Sequence, residues 1–450
     1  MTDRMEGSDA RLGRAVNDGH GSVYPLAAEG AGHIVRRALL AAPTRNARPE
    51  YMKELNLLIV LDAFRTFGEM SRASLARATG MSAPTASKSV QQLVDVGLLV
   101  EDGRASGHIG KPATRVRFNA ACGAVLGIDL GGTNVRLALS DLAGTILART
   151  TEPIDRDAGP EGIVARIEAI GKGLLRESGA QLTAIGLATP GIVDTEAGIV
   201  GVARNLKGWR DVPIRKMLEV AFGVPAVVEN DVNAAAMGER WRGAARGHES
   251  FLFVSIGTGI GAGLVLDGEI YRGAHFAAGE INLLPVGAPG ADGYLEDLAS
   301  GPAIVRRAME FGYTATAGER PTTNTVFAAA ACGDQGARRA VEEGVQAIAY
   351  GTGVLLAAVD PSIVVLGGGV SGQGDAILYP VREALSTIVR LRCEVVLSEL
   401  GVDAQLHGAV FVGLKRADLA LVDRVNGSAS SLQNREAASQ NAPLTFREAL

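Results

Sequence analysis

Apolar residues recur along this chain at two spacings, and the places where the spacing changes mark out its parts. Residues 1–49 mix Gly, Asp, Ala, Arg and Pro with no sustained period, so they are expected to form a disordered extension. The same expectation covers residues 424–450, where small and polar side chains follow one another without an apolar face. From Met52 the texture changes: Leu55, Leu58, Ile59, Leu61, Ala63 and Phe64 share one face at helical spacing. Ser71 suits the N-cap of a short helix, 72–79, stopped by Gly80. Ser82 caps another, with Pro84 in its first turn, Val90, Leu93 and Val94 facing inward, and Gly97 at its end. Two short strands, 98–101 and 114–118, follow, joined by the glycine-rich, basic run 102–112.

Three helices and a two-stranded wing within residues 50–119 predict a winged helix-turn-helix domain. Beyond Asn119 the pattern alternates between strand and helix until about residue 423. Strands are predicted at 124–128, 135–140, 183–188, 226–229, 251–254 and 363–366, and helices at 162–177, 337–359 and 376–392. That is α/β texture, and the simplest arrangement of residues 120–423 is two lobes. Only 119–123 tethers the first domain to the first lobe strand, too short a link for independent motion.

A chain of 450 residues has room for two or three domains with sizeable cores. Its 58 glycines cluster in motifs rather than in a repeat, which excludes collagen-like and low-complexity readings. The net charge of −5 argues against non-specific nucleic-acid binding by the whole chain. Residues 71–119 invert that balance. There seven basic side chains (Arg72, Arg77, Lys88, Arg104, Lys111, Arg115, Arg117) face three acids (Asp95, Glu101, Asp102), a local +4. Cys122, Cys332 and Cys393 have neither metal-ligand nor disulfide spacing, and no apolar run reaches the roughly 18 residues of a membrane span. A cytoplasmic protein away from membranes is expected.

The sharpest chemistry sits where apolar strands run into glycine. The first such strand ends Asp129-Leu130-Gly131-Gly132-Thr133, and the next strand begins at once. Glycines there allow a tight turn and bring amide N–H groups close to a phosphate. Thr133 adds a hydroxyl, and Asp129 would hold a magnesium ion through water. A second loop, Gly257-Thr258-Gly259-Ile260-Gly261, follows strand 251–254. One such hairpin is ordinary turn chemistry; two read as lobes clamping one nucleotide. Gly367, Gly368 and Gly369 end strand 363–366 and would let backbone lie flat against a purine or ribose. A tight strand-to-helix turn is the plain alternative.

At Glu229-Asn230-Asp231 a strand ends and a helix begins. Asp231 is either the cap of that helix or a general base that takes a proton from an attacking sugar hydroxyl. Asn230 would hydrogen-bond a neighbouring hydroxyl. Asn205, Glu280 and Glu296 are further polar groups suited to a polyol, because acids and amides accept several O–H donors; each is equally at home as a surface residue or cap.

The second helix of a helix-turn-helix lies in the major groove with its first residues on base edges. Here those are Ser82, Thr85, Ser87 and Lys88, with Gln91 one turn on and Arg104 and Lys111 in the wing. These are short donors and acceptors for bases and phosphates. A module used only for protein contacts is the competing reading.

Together, the loops 129–133 and 257–263, the Glu229-Asn230-Asp231 junction, Gly279-Glu280 and Gly367–Gly369 resemble the ROK family of repressors, open reading frames and kinases. The segment 52–119 is similar to the winged helix of the family's repressor branch, which includes xylose and N-acetylglucosamine regulators. The resemblance implies an actin/hexokinase-like ATPase fold, operator DNA as partner, a sugar or sugar-phosphate effector, and a homodimer or homotetramer. It matches Asp231 to the kinase branch's catalytic aspartate and Asn205, Asn230, Glu280 and Glu296 to sugar contacts, and it leaves ATP-Mg as a cofactor. The chain departs from the family at one place. Where members carry a histidine and then a cysteine-rich turn for structural zinc, it has Leu283 and a cysteine-free 288–293. Zinc is not expected. The functions left open are a sugar-responsive regulator, preferred, an ATP-dependent hexose kinase, and a scaffold with neither activity.

Overall fold

The computed structural model describes residues 49–104, 114–203, 206–286, 293–315, 320–390 and 393–425, and at 49–51 and 102–104 the backbone alone. The expected disordered stretches up to 48 and from 426, Lys111 with the wing tip, Asn205, the turn 288–292 and the side chain of Arg104 lie outside the described residues.

Helix α1 (Pro49–Phe67) leads to strand β1 (Met70–Ser71), helices α2 (Arg72–Thr79) and α3 (Ala83–Asp95), and strands β2 (Leu99–Arg104) and β3 (Thr114–Phe118). The caps read from the sequence form. Ser71 Oγ accepts from the Ser74 N–H at 3.1 Å and Ser82 Oγ from the Thr85 N–H at 3.3 Å. Gly80 and Gly97 take left-handed φ values of 70° and 75°, which a side chain would resist. One strand escaped the sequence reading. β1 pairs with β3 through Met70 and Val116, so the sheet has three strands in the order β1-β3-β2. Two residues cannot display a period of two.

The first lobe contains β4 (Ala124–Leu130), β5 (Asn134–Asp141), β6 (Ile146–Pro153), α4 (Gly159–Ser178) and β7 (Leu182–Thr189). A small separate sheet, β8 (Val193–Asp194), β9 (Ile199–Val202) and β10 (Arg210–Val212), precedes α5 (Ile214–Phe222), β11 (Ala226–Asn230) and α6 (Asp231–Arg242). The second lobe contains β12 (Phe251–Ile256), β13 (Ile260–Leu266), β14 (Glu269–Ile270), α7 (Glu296–Ala299), α8 (Gly301–Glu310), α9 (Thr323–Ala331) and α10 (Gln335–Val359). It closes with β15 (Ile363–Gly367), α11 (Asp375–Ile388) and β16 (Glu394–Leu397), and the final helix α12 (Ala404–Val425) returns to the first lobe. The helix expected to reach residue 392 ends at Ile388, after Pro380 has already removed one ladder donor.

Both main sheets follow one plan. Their orders are β6-β5-β4-β7-β11 and β14-β13-β12-β15-β16, each with an antiparallel hairpin on one side of the central strand and parallel strands on the other. The two glycine loops therefore hold the same place in the two sheets, the first spanning 131–134 between paired Leu130 and Val135, the second 257–259 between paired Ile256 and Ile260. This is the actin/hexokinase-like fold, preceded by a winged helix-turn-helix. Helix α12 lies against β4, β7 and α6, close enough to need glycine. A Cβ on Gly186 would stand 2.0 Å from the Ala409 carbonyl, and one on Gly408 would stand 1.7 Å from that of Ala234. The same helix joins an apolar cluster that runs from Leu57, Leu61, Phe64 and Leu93 of the N-terminal domain to Val125, Val410 and Leu421.

Candidate functional site

A cleft of about 1170 Å³ opens between the two hairpins. Asp129, Gly131, Gly132, Thr133, Asp231, Gly257, Thr258, Gly368 and Gly369 all line it, so residues far apart in sequence meet in one place. Gly367 is buried behind the cleft, where a Cβ would strike the Phe253 ring at 2.2 Å. Gly259 and Gly261 belong to the second hairpin but are not among the cleft-lining residues; a Cβ on them would meet Glu296 at 2.4 Å and Val232 at 3.4 Å.

Each hairpin is closed by the amide of its first glycine, across three residues in the first and two in the second. The Gly131 amide donates to the Asn134 carbonyl at 2.9 Å, and the Gly257 amide to the Gly259 carbonyl at 2.8 Å. Gly368 holds φ at 81°, with Ile256 backbone 2.5 Å from where a Cβ would stand. No side chain fits there. Backbone thus forms much of the cleft floor between β12 and β15.

Asp129 ends β4, buried to 3% exposure, and its cross-strand partner in the hairpin is Arg136. The Arg136 guanidinium donates through Nε to Asp129 Oδ2 at 2.6 Å, with Nη2 on the same oxygen, and through Nη1 to the Val402 carbonyl. Burial pushes the Asp129 carboxyl up; the Arg136 charge works against this, and Asp403 adds to it. The sequence reading missed Arg136, although it lies opposite Asp129 once the hairpin register is drawn. At the matching place in β12 stands Ser255, opposite Gly261.

The cap at the β11–α6 junction differs from the expectation. Asn230, not Asp231, caps α6: its Oδ1 accepts from the Val232 and Asn233 amides at 2.9 and 3.1 Å. An extended residue ahead of the first turn is placed to reach those amides; Asp231 is already helical. Asn230 Nδ2 also donates to the Gly191 carbonyl at 3.0 Å, so this amide is mostly engaged within the fold. Asp231 faces the cleft, and its carboxyl is pushed up to about 6 by burial first, then by Asp129 and Glu280, against the Val232 amide.

Next to it, buried Glu229 holds Arg272 through Oε2 at 2.6 and 3.0 Å and receives Asn233 Nδ2 at 3.2 Å. Gly279, ahead of Glu280, is held to the second hairpin strand, its carbonyl accepting from the Ala262 amide at 2.8 Å. Glu229 and Arg272 were not singled out from sequence, because nothing local ties two residues 43 apart. Glu280 lies within electrostatic reach of Asp231. Glu296 begins α7, and its carboxylate accepts from the Ile260 amide at 3.3 Å, bracing the second hairpin.

On the N-terminal domain, Ser82, Ser87, Lys88 and Gln91 form an exposed face of α3, with Thr85 half-buried beside them and hydrogen-bonded to Ser82 at 2.8 Å. Gln91 is held from both ends: Arg72 donates to it at 2.9 Å, and it donates to Asp95 at 2.7 Å. Arg72 also reaches Glu101 of β2 at 2.5 Å, joining helix face to wing.

A cofactor can be tested against this geometry. Two glycine hairpins with amides at the cleft fit a polyphosphate, and Asp129 is the acid beside them. Among the described residues no group of three or more His, Cys, Asp or Glu is placed to hold a metal ion. Among the described residues, too, no helix is long and apolar enough to cross a membrane.

Comparison with known proteins agrees with this frame. The ROK family profile matches residues 125–415. A glucokinase of Halalkalibacterium halodurans is 34% identical over 307 residues, covering 63% of this chain and 92% of its own. A putative xylose repressor of a Caldicellulosiruptor species is 30% identical over 350 residues, 74% of this chain and 87% of its own. Among solved structures, a ROK family transcriptional regulator homologous to the E. coli MLC protein superposes with a TM-score of 0.72 at 23% identity. It covers 84% of this chain and 100% of that one, a likeness of fold. A ROK family glucokinase from Streptomyces griseus, in complex with glucose and AMPPNP, gives 0.57 at 31% identity over 65% of this chain and 99% of its own. With a profile match that runs through both lobes and their paired hairpins, this chain belongs to the ROK family.

Proposed function

We propose that this chain is a sugar-responsive transcriptional regulator, a repressor, whose two lobes bind a sugar or sugar phosphate and whose residues 50–119 bind operator DNA. The observation that carries this reading is the winged domain packed into the first lobe's core; the repressor names among its relatives support it. Ser82, Thr85, Ser87 and Lys88 would meet the major groove, Gln91 would lie one turn on, and Arg104 and Lys111 would reach phosphates from the wing. One such domain makes few phosphate contacts, so a homodimer or tetramer reading half-sites about 34 Å apart is the matching assembly. The setting is cytoplasmic, in keeping with three free cysteines, and zinc has no place in it.

In the lobes, Asn205, Asn230, Glu280 and Glu296 are assigned to the sugar side and the glycine hairpins to ATP-Mg. When bound, the metal would shield phosphate charge. Gly131, Gly132, Thr133, Gly257 and Thr258 would hold the phosphates through N–H and O–H groups, and Gly368 and Gly369 would leave room for the nucleoside.

The kinase reading is kept for one observation: Asp231, raised to about 6, faces both hairpins. A carboxylate with that value is a competent base at neutral pH and loses the role as pH falls through about 6. Asp231 would take the sugar hydroxyl proton as that oxygen bonds to the γ-phosphorus of ATP and the bond from this phosphorus to the bridging oxygen breaks, with ADP leaving.

The test is selection of duplexes from a randomised pool, followed by titration with hexoses and hexose phosphates, with and without AMPPNP. Enrichment of a two-half-site sequence, weakened by Lys88→Ala with a salt slope lower by about 1, is expected. No enrichment over random duplex at physiological salt would overturn the regulator reading.

A further inference from the structure

One helix touches both the cleft and the DNA-binding domain. Its N-terminal end and the turn before it are in the cleft wall: Gln405 of the helix and Val402 of the turn line the cavity, and Arg136, partner of Asp129, donates to the Val402 carbonyl. Its C-terminal half is buried against the other domain, where Leu414, Ala417, Leu421 and Val422 share one apolar cluster with Leu57, Leu61 and Phe64 of α1. Inside this apolar contact sits an ion pair. Arg65 Nη1 donates to Asp418 Oδ2 at 2.5 Å, with the two side chains 2% and 11% exposed. The same guanidinium lies 4.7 Å from the ring centre of Phe118, at the end of the wing strand.

The tether adds a second constraint. The Asn119 amide N–H and side chain donate to Leu98 and Gly97, and the Leu142 amide donates to Ala120. Domain and lobe are thus fastened at two points, tether and helix. Apolar side chains alone permit sliding, since their attraction has little direction. A buried charge pair has one satisfactory geometry, and separating it would leave each charge in apolar surroundings.

We propose that Arg65 and Asp418 are positioning residues that lock the DNA-binding domain to α12, so that nucleotide occupancy of the cleft is passed to that domain through this helix. The inference rests on the nucleotide reading of the cleft given above, and the experiment separates the two.

Hydrogen–deuterium exchange is measured on the full chain with and without AMPPNP and magnesium. It is repeated on the Arg65→Met/Asp418→Leu double variant, which keeps the packing volume, and on Asp418→Asn, which keeps the shape. Thermal unfolding confirms that each is folded. In the parent, nucleotide should slow exchange at 131–133 and 257–261 and change it at 55–66 and 414–422 by about fivefold or more, the lower end of ordinary coupling. In both variants the protection of the hairpins should persist while the remote change largely disappears. Hairpin protection with no remote change in the parent, or an equal remote change in the variants, overturns the proposal and leaves the cleft reading intact. No hairpin protection overturns the cleft reading and this proposal with it.

Discussion

The two glycine hairpins share a sheet position and are each closed by the amide of their first glycine, yet they carry different chemistry. The first holds charge: Asp129 buried against Arg136, with Asp403 and Arg149 extending the network at 3.3 to 3.6 Å. The second has Ser255 where the acid would be and presents uncharged groups, backbone and the Thr258 side chain, braced by Glu296. One frame thus supplies two unlike half-sites, one that answers to charge and one that answers to shape. The difference teaches that fold symmetry fixes where a ligand can sit, while a few side chains decide what each half does to it.

Four outcomes break or sharpen that contrast. The largest effect concerns Asp231, which faces both hairpins. Whatever sugar phosphorylation the chain performs should drop about 10²- to 10⁴-fold in Asp231→Asn, with AMPPNP affinity within severalfold of the parent. Phosphotransfer assays with glucose and isothermal titration check the pair of values; loss of both together would make Asp231 a structural residue.

Next comes stability at the charged hairpin. Arg136→Met leaves the Asp129 carboxylate buried with its main cation gone and should cost about 3–5 kcal/mol at pH 7. Ser255→Ala, at the matching position, should stay within about 0.5 kcal/mol. Denaturant unfolding of the two variants decides it, and equal costs would erase the asymmetry.

A third, smaller effect reverses sign. The Asp231 carboxyl, raised to about 6 in the fold, binds its proton more tightly there than in the unfolded chain, where its value is near 4. Its contribution to stability is therefore full below about 4, falls as pH rises to about 6, and is flat above. Asp231→Asn should be more stable than the parent at pH 7.5, by on the order of 2–3 kcal/mol, and this advantage should vanish below pH 4. A constant difference across pH would mean that the carboxyl is not raised. The smallest effect belongs to the shape-reading hairpin. Glu296, assigned to the sugar side, also braces the Ile260 amide of this hairpin, so Glu296→Gln should lower AMPPNP affinity by about 5- to 10-fold, worth about 1 kcal/mol; an unchanged constant would mean that the brace does not reach the nucleotide.

Much of this was legible in the sequence because it is local. Ser71, Ser82, Gly80 and Gly97 announce their helix ends in one or two residues, and each glycine hairpin is a contiguous run. The cleft residues were found one motif at a time, and the fold brought them together. What escaped was non-local or too short. Arg272 clamps Glu229 across 43 positions, α12 is an apolar helix whose meaning comes from what it touches, and β1 has two residues. The cap was assigned to Asp231 rather than Asn230 because acid and amide are adjacent and both suit the role. One residue of register decided which of them faces the cleft.

The most direct test of the whole account is the affinity of the full chain for its selected duplex. It is titrated with the hexose that stabilises the protein best, with and without AMPPNP and magnesium, in parent and Glu280→Ala. A shift of about 5- to 150-fold is expected in the parent, absent in Glu280→Ala, whose affinity without ligand equals the parent's. A parent whose DNA affinity is unmoved by any ligand that stabilises it, or a Glu280→Ala variant that responds like the parent, would contradict it.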